Sequence, residues 1–392
     1  MKINFKAKKF ISFAICIVMI LCVFSYIPVS SAEGAVGVIG APAAICKSAI
    51  LMEASTGQIL YEQNADEALP PASVTKIMTL LLIMEAINEG KLKYDDMITA
   101  SAYACSMGGS QIYLKEGEQM SAEDMIKSVV ISSANDAAVA LAEHVYGSET
   151  AFVTRMNERA TELGMKNTNF ENTNGLDDTA ENHVTSARDI AIMSRELIKH
   201  ERITQFSSIW MDTIRNGTFG LTNTNRLVRF YKGATGLKTG STSKAGFCIS
   251  ATAERDGMSL ICVIMGAETR DIRNASATSL LDWGFANYRV YNSPAVNIED
   301  LKVLCGKKAN CRVNVDDFCT VVEKGSVDKV QYSIELPDRI TAPVEQGTVV
   351  GKIKYTVGDK DIGYVDITAD ESIKKIGYFD VLIRIFYGIL MN

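Results

Sequence analysis

The chain has 392 residues, 47% of them hydrophobic and 22% charged, which suggests two globular domains and excludes a disordered or wholly membrane-embedded protein. Its formal net charge is −6, the opposite of the basic surplus that a nucleic-acid binder carries, so no nucleic acid is expected as a partner.

At the N-terminus, Lys2, Lys6, Lys8 and Lys9 precede an apolar run from Phe10 to about Tyr26, and Ser30-Ser31-Ala32 offers small residues for cleavage. This layout predicts a secretory signal peptide over residues 1–32, with an uncleaved membrane anchor as the alternative. The mature chain then begins near Glu33 and works outside the cytoplasm, at the outer face of the membrane or in the cell-wall space. Seven cysteines remain in it, an odd number that cannot pair completely. Cys248 and Cys262 sit in apolar, strand-like runs and read as buried thiols. Cys305, Cys311 and Cys319 lack the close pairs and the nearby histidine of a zinc site, so a disulfide or burial is expected there and no metal.

Ile50–Glu53 and Gln58–Tyr61 predict a hairpin, and Pro70-Pro71 then breaks the chain ahead of an apolar helix from Ser73 to Asn88. That helix is apolar nearly all round and is expected to be central. Further helices are predicted over Ala122–Ser132, Ala134–Tyr146, Ala151–Leu163 and Ser186–Lys199. Strands follow over Thr235–Lys238, Phe247–Ala253 and Ser259–Met265, the last two joined at an Asp256-Gly257 turn, and a helix over Ser276–Tyr288. Strands at both ends with helices between them indicate an α+β domain over 33–293, its sheet formed from non-contiguous segments. Short alternating segments within 294–370 predict a small β domain, sandwich or barrel. Residues 371–392 form an amphipathic pattern. Ile376, Phe379, Ile383, Phe386, Tyr387 and Leu390 share one helical face, which suits a membrane surface, with a docked core helix as the alternative.

The chemistry begins at Ser73-Val74-Thr75-Lys76, where a hydroxyl and an amine lie one turn apart on the same helix face. A serine alcohol needs a base, and a lysine serves when burial and neighbouring charge keep it neutral part of the time. The spacing alone is common: Ser241–Lys244, Ser326–Lys329 and Ser372–Lys375 repeat it. Two further elements distinguish Ser73. Ser133-Ala134-Asn135 lies between predicted helices and offers a hydroxyl for proton relay and an amide for a peptide group. Lys238-Thr239-Gly240 ends a predicted strand. It supplies positive charge, a hydrogen bond for a carboxylate, and room for close approach. Ser-x-x-Lys, Ser-x-Asn and Lys-Thr-Gly in this order form the set of β-lactamases and penicillin-binding proteins. His144, His183 and His200 make no His-Glu-x-x-His metal motif, and no Gly-x-Ser-x-Gly elbow occurs. A triad through His183 stays open but leaves Lys76, Ser133 and Lys238 without a role.

The chain resembles the low-molecular-mass penicillin-binding proteins that act as exported D-alanyl-D-alanine carboxypeptidases. The resemblance rests on Pro71–Thr79, Gly108–Glu118, Ser133–Ala137, Leu163–Met165, His183–Asp189, Gly236–Thr242 and Trp283–Phe285. It implies a β-lactamase/transpeptidase-like domain, an antiparallel sheet with a helical cluster, followed by the small β domain and the amphipathic tail. It also implies that Ser73 attacks the terminal D-Ala-D-Ala bond of a peptidoglycan stem peptide with Lys76 as base, Ser133 and Lys238 assisting proton transfer. Asn135 would hold the peptide, Thr239 the terminal carboxylate, and the backbone N–H groups of Ser73 and Ser241 the oxyanion. β-Lactams would trap the acyl-enzyme, and no cofactor is called for. Where some relatives carry Asn-Arg-Asn this chain has Asn223-Thr224-Asn225, with Arg226 as the substitute clamp, and Asn274-Ala275-Ser276 lacks an expected acid. A β-lactamase and a non-catalytic wall-binding scaffold are the competing readings, as are endopeptidase and transpeptidase activities of the same site.

Overall fold

The structure is a computed structural model that describes residues 40–177 and 180–390. The expected signal peptide over 1–32 lies outside the described residues.

A five-stranded antiparallel sheet is ordered Ile59–Gln63, Ser48–Glu53, Met258–Ala267, Gly246–Arg255, Ala234–Thr242. The N-terminal hairpin thus pairs with strands from the far end of the domain, as the non-contiguous reading required. Met258–Ala267 shows why its strand reads as one unbroken apolar run. Ile261, Val263 and Met265 join the core beneath the helical cluster, while Leu260, Cys262 and Ile264 join the core beneath the Arg270–Asn287 helix. Alternate side chains meet opposite faces, and both faces are covered. The hairpin at Asp256-Gly257 has both residues at positive φ, 50° and 75°, the pair that a tight two-residue turn demands.

The central helix is Lys76–Asn88, and every side chain from Lys76 to Met84 is buried. Ser73 lies outside it, in a single 3-10 turn over Ala72–Thr75, so the expected helix start at Ser73 is corrected to Lys76. Ala122–Ser132, Asn135–Tyr146, Glu149–Glu162 and Ala187–Leu197 pack around it, close to their expected bounds. The last helix of the domain starts at Arg270, a turn and a half earlier than the sequence reading.

Beyond it, the chain forms a four-stranded antiparallel sheet (Val313–Val315, Lys360–Ala369, Val349–Val357, Val330–Glu335) and a three-stranded one (Asn310–Cys311, Leu301–Leu304, Arg339–Thr341). These are open sheets rather than a barrel. The expected strand Cys311–Val315 is split at Arg312, where the chain leaves one sheet for the other. Tyr288–Asn292 pairs with Cys319–Glu323, a ladder that sequence alone did not predict. All seven described cysteines are free thiols. Cys311 is buried and Cys305 and Cys319 are exposed, so the expected alternatives resolve to burial for Cys311 only.

The tail helix spans Tyr378–Leu390 and is shorter than the expected 371–392. Residues before it belong to the β domain: Ile373 bridges to Val344, and Lys375 to Gly306. Tyr378, Phe379, Leu382, Ile383, Ile385 and Phe386 are all exposed, so the described side chains are not docked into a core, while Tyr387 and Leu390 of the expected face lie outside the described side chains. Among the described residues, no helix is long and apolar enough to cross a membrane.

Candidate active site

The Ala72–Thr75 turn sits against the outer strand of the sheet, Ala234–Thr242. That strand runs through Thr242, so Lys238-Thr239-Gly240 lies within it and not at its end, as expected. Gly240 faces the turn. A Cβ there would come within 2.7 Å of the Ser73 amide nitrogen and 2.9 Å of the Val74 nitrogen. The close approach that this glycine permits is therefore the backbone of the Ser73 turn.

Lys76 Nζ lies 2.9 Å from Ser73 Oγ and donates to Asn135 Oδ1 at 2.5 Å and to the Asn174 carbonyl at 2.8 Å. Lys76 is fully buried, and all three partners are neutral oxygens. Burial first, and then the charge of Lys238, hold its pKa well below the usual lysine value, opposed by Asp136. Lys238 is buried with one acceptor among the described residues, the Thr239 carbonyl at 2.9 Å. Burial, followed by the charge of Arg273, lowers its pKa to about 7. Asp136 is occupied in structure, accepting from the amides of Ile112, Leu114 and Ala137.

Ser133 ends the Ala122–Ser132 helix in the left-handed conformation, φ 62°. Its hydroxyl makes no hydrogen bond among the described residues and lines the cleft. Asn135 is engaged at both ends of its amide: Oδ1 accepts from Lys76, and Nδ2 donates to the Gly108 carbonyl at 2.7 Å. Thr239 Oγ1 donates to Thr224 Oγ1 at 2.8 Å.

These groups border a cleft of about 620 Å³ whose lining includes Ser73, Ser110, Ser133, Thr239, Gly240, Ser241 and Arg226. Lys76, Asn135 and Lys238 lie beneath it. Four arginines line it, namely Arg226, Arg229, Arg270 and Arg273, with no aspartate or glutamate among the described residues. Arg229 is stacked over Trp210 at 5.4 Å and Phe230 at 5.3 Å. Sequence reasoning passed over Arg273. It is buried, and its side chain donates to Asn274 Oδ1 at 3.1 and 2.9 Å and to the Cys248 carbonyl at 3.4 Å, with no carboxylate partner among the described residues. Its pKa falls to about 10 through burial and then the charge of Arg270. Asn274, where an acid was expected ahead of the helix, lies inside the helix and serves as this arginine's acceptor. His183 is not in a triad: its Nε2 is 2.7 Å from Thr75 Oγ1.

An antiparallel sheet beside a helical cluster, with Ser-x-x-Lys, Ser-x-Asn and Lys-Thr-Gly meeting at one cleft, is the architecture of the penicillin-binding serine enzymes. The chain belongs to the D-alanyl-D-alanine carboxypeptidase family, whose model matches residues 37–269. Residues 292–375 match the penicillin-binding protein 5 C-terminal domain. The D-alanyl-D-alanine carboxypeptidase DacF of Bacillus subtilis is 42% identical over 345 residues, covering 86% of this chain and 88% of the relative. Among solved structures, penicillin binding protein 5 of Haemophilus influenzae superposes with a TM-score of 0.78 at 32% identity, covering 85% of this chain and 99% of that one. Penicillin-binding protein D2 of Listeria monocytogenes, in its ampicillin-bound form, has a TM-score of 0.57 at 32% identity, covering 62% of this chain and 98% of that one.

Proposed function

We propose that the protein is a serine-type D-Ala-D-Ala carboxypeptidase that removes the terminal D-alanine of peptidoglycan stem peptides through an acyl-enzyme on Ser73, and that penicillin inhibits it. One observation carries the assignment of roles. The buried Lys76 amine donates to two neutral acceptors, Asn135 Oδ1 and the Asn174 carbonyl, and its third neighbour is Ser73 Oγ. A neutral amine has two N–H bonds and one lone pair. With both N–H bonds spent on those acceptors, the lone pair faces the serine hydroxyl and takes its proton as Oγ attacks.

The oxyanion is assigned to the backbone N–H groups of Ser73 and Ser241, both at the cleft. Ser133, with its hydroxyl uncommitted, and the buried Lys238 return the proton to the departing amine. Thr239 and Arg273 are the carboxylate clamp, with Arg226 also lining the cleft; a guanidinium without an acid partner among the described residues suits a carboxylate. Asn135 acts through Lys76, and the outer strand Ala234–Thr242 offers its free edge to an extended peptide.

The protein acts in the cell-wall space after loss of residues 1–32, with its β domain and exposed apolar tail at the outer face of the membrane. Labelling with a fluorescent penicillin, followed by mapping of the modified residue, tests the reading. The label is expected on Ser73, with loss of both labelling and D-alanine release in Ser73→Ala; a label on any other residue overturns it.

A further inference from the structure

His183 is the buried group that the reaction leaves without a role, and its hydrogen bonds have a definite direction. The Glu171 amide donates to His183 Nδ1 at 3.0 Å. An amide N–H cannot accept, so Nδ1 is the bare nitrogen and Nε2 carries the proton. Nε2 therefore donates to Thr75 Oγ1 at 2.7 Å. The threonine hydroxyl, already accepting, is left to donate its single proton to the Ala72 carbonyl at 2.8 Å.

That carbonyl belongs to an unusual residue. Ala72 has φ 48°, the left-handed region that a non-glycine residue occupies only under strain, and it immediately precedes Ser73. The same carbonyl and hydroxyl are closed in by Gly175, where a Cβ would stand 1.9 Å from Ala72 O and 2.8 Å from Thr75 Oγ1. Between Glu171 and Gly175 lies Asn174, whose carbonyl accepts from Lys76. Thr79 anchors this segment to the central helix by donating to the Thr173 carbonyl at 2.6 Å. One stretch of backbone therefore reaches Lys76 directly and the Ser73 turn through His183 and Thr75.

We propose that His183 is a positioning residue: its Nε2–H fixes the direction of the Thr75 hydroxyl, which pins the Ala72 carbonyl and so holds Ser73 at its distance from Lys76. Without that donor, the hydroxyl is free to turn away, and the Ala72 turn loses the bond that supports it. The inference rests on Ser73 being the nucleophile.

The test compares His183→Gln, which keeps an N–H donor near the place of Nε2, with His183→Leu, which has none. The readouts are the acylation rate with fluorescent penicillin, the noncovalent dissociation constant from the same saturation curve, and Tm. Leucine is expected to slow acylation roughly tenfold or more while the dissociation constant moves less than about twofold, and glutamine to recover to within about threefold of wild type. Both lose the Nδ1 acceptor, so both are expected to lose similar Tm, which separates positioning from general support. Should His183→Leu fail to fold, Thr75→Val against Thr75→Ser poses the same question. A leucine variant within about twofold of wild type, or a glutamine variant as slow as leucine, overturns the inference. A wild-type label on a residue other than Ser73 overturns instead the catalytic reading beneath it.

Discussion

Asn135 and Lys76 are joined by a 2.5 Å hydrogen bond in which the lysine donates to the carboxamide oxygen, and both side chains are buried. The neutrality of that acceptor matters as much as its position. Asn135→Asp would set a carboxylate beside Nζ and favour the charged amine, raising the pKa that burial and Lys238 hold down. The acid limb of the acylation-rate profile is expected to move to higher pH, with a loss of roughly tenfold or more near neutrality that is partly recovered in alkaline buffer. A variant slowed equally at all pH values would place the role of Asn135 elsewhere.

Lys238 makes a prediction about stability. In the unfolded chain it binds a proton up to the ordinary lysine value, and in the folded chain only below about 7. Between those two values the unfolded state holds more protons, so this group's contribution to stability rises with pH across that window. Lys238→Met removes the penalty, and Tm at pH 7 is expected to rise by about 2–4 °C while penicillin acylation collapses. A fall in Tm would mean that the bond to the Thr239 carbonyl outweighs the burial of the amine.

The carboxylate clamp is assigned to Arg273 ahead of Arg226. Arg273→Gln should cost about 2 kcal/mol of binding to the terminal carboxylate, roughly thirtyfold in kcat/KM for D-Ala-D-Ala peptides and mostly through KM. Arg226→Gln should cost less. The reverse order in steady-state kinetics would return the clamp to Arg226.

The three motifs were legible because each is local: a turn leading into a helix, a helix junction and a strand carry their own short patterns. Arg273 was not, because a whole hairpin separates it from Lys238 in sequence and only the fold brings its charge to the lysine. The strand holding Lys238 was read short because Thr239-Gly240-Ser241-Thr242 has little apolar character. Pairing with Gly246–Cys248 and Ile249 continues it regardless. Nor could spacing reveal that Asn135 would face Lys76, since the two come from different helices. The tail was read too long because Ser372–Lys375 continues its pattern, although β bridges at Ile373 and Lys375 claim that stretch.

The tail helix Tyr378–Leu390 leads to a binding prediction. Truncation after Lys375 should abolish co-sedimentation with phosphatidylglycerol vesicles and leave the penicillin acylation rate unchanged. Equal sedimentation of both forms would show that the exposed aromatic and aliphatic side chains do not serve as the anchor.

The Arg270–Asn287 helix opens at the cleft with Arg270 and Arg273, and its last residue runs directly into Tyr288–Asn292, the strand paired with Cys319–Glu323. Gln58 reinforces this seam by accepting from the Val321 amide at 3.2 Å. The 18-residue helix is packed on the sheet along its length and hands the chain directly to the seam, with no linker between them. Were the tail to lie on a membrane as proposed, a seam without slack would set the height at which the cleft meets its peptides, and strands at that depth in the wall would be served ahead of those above or below it.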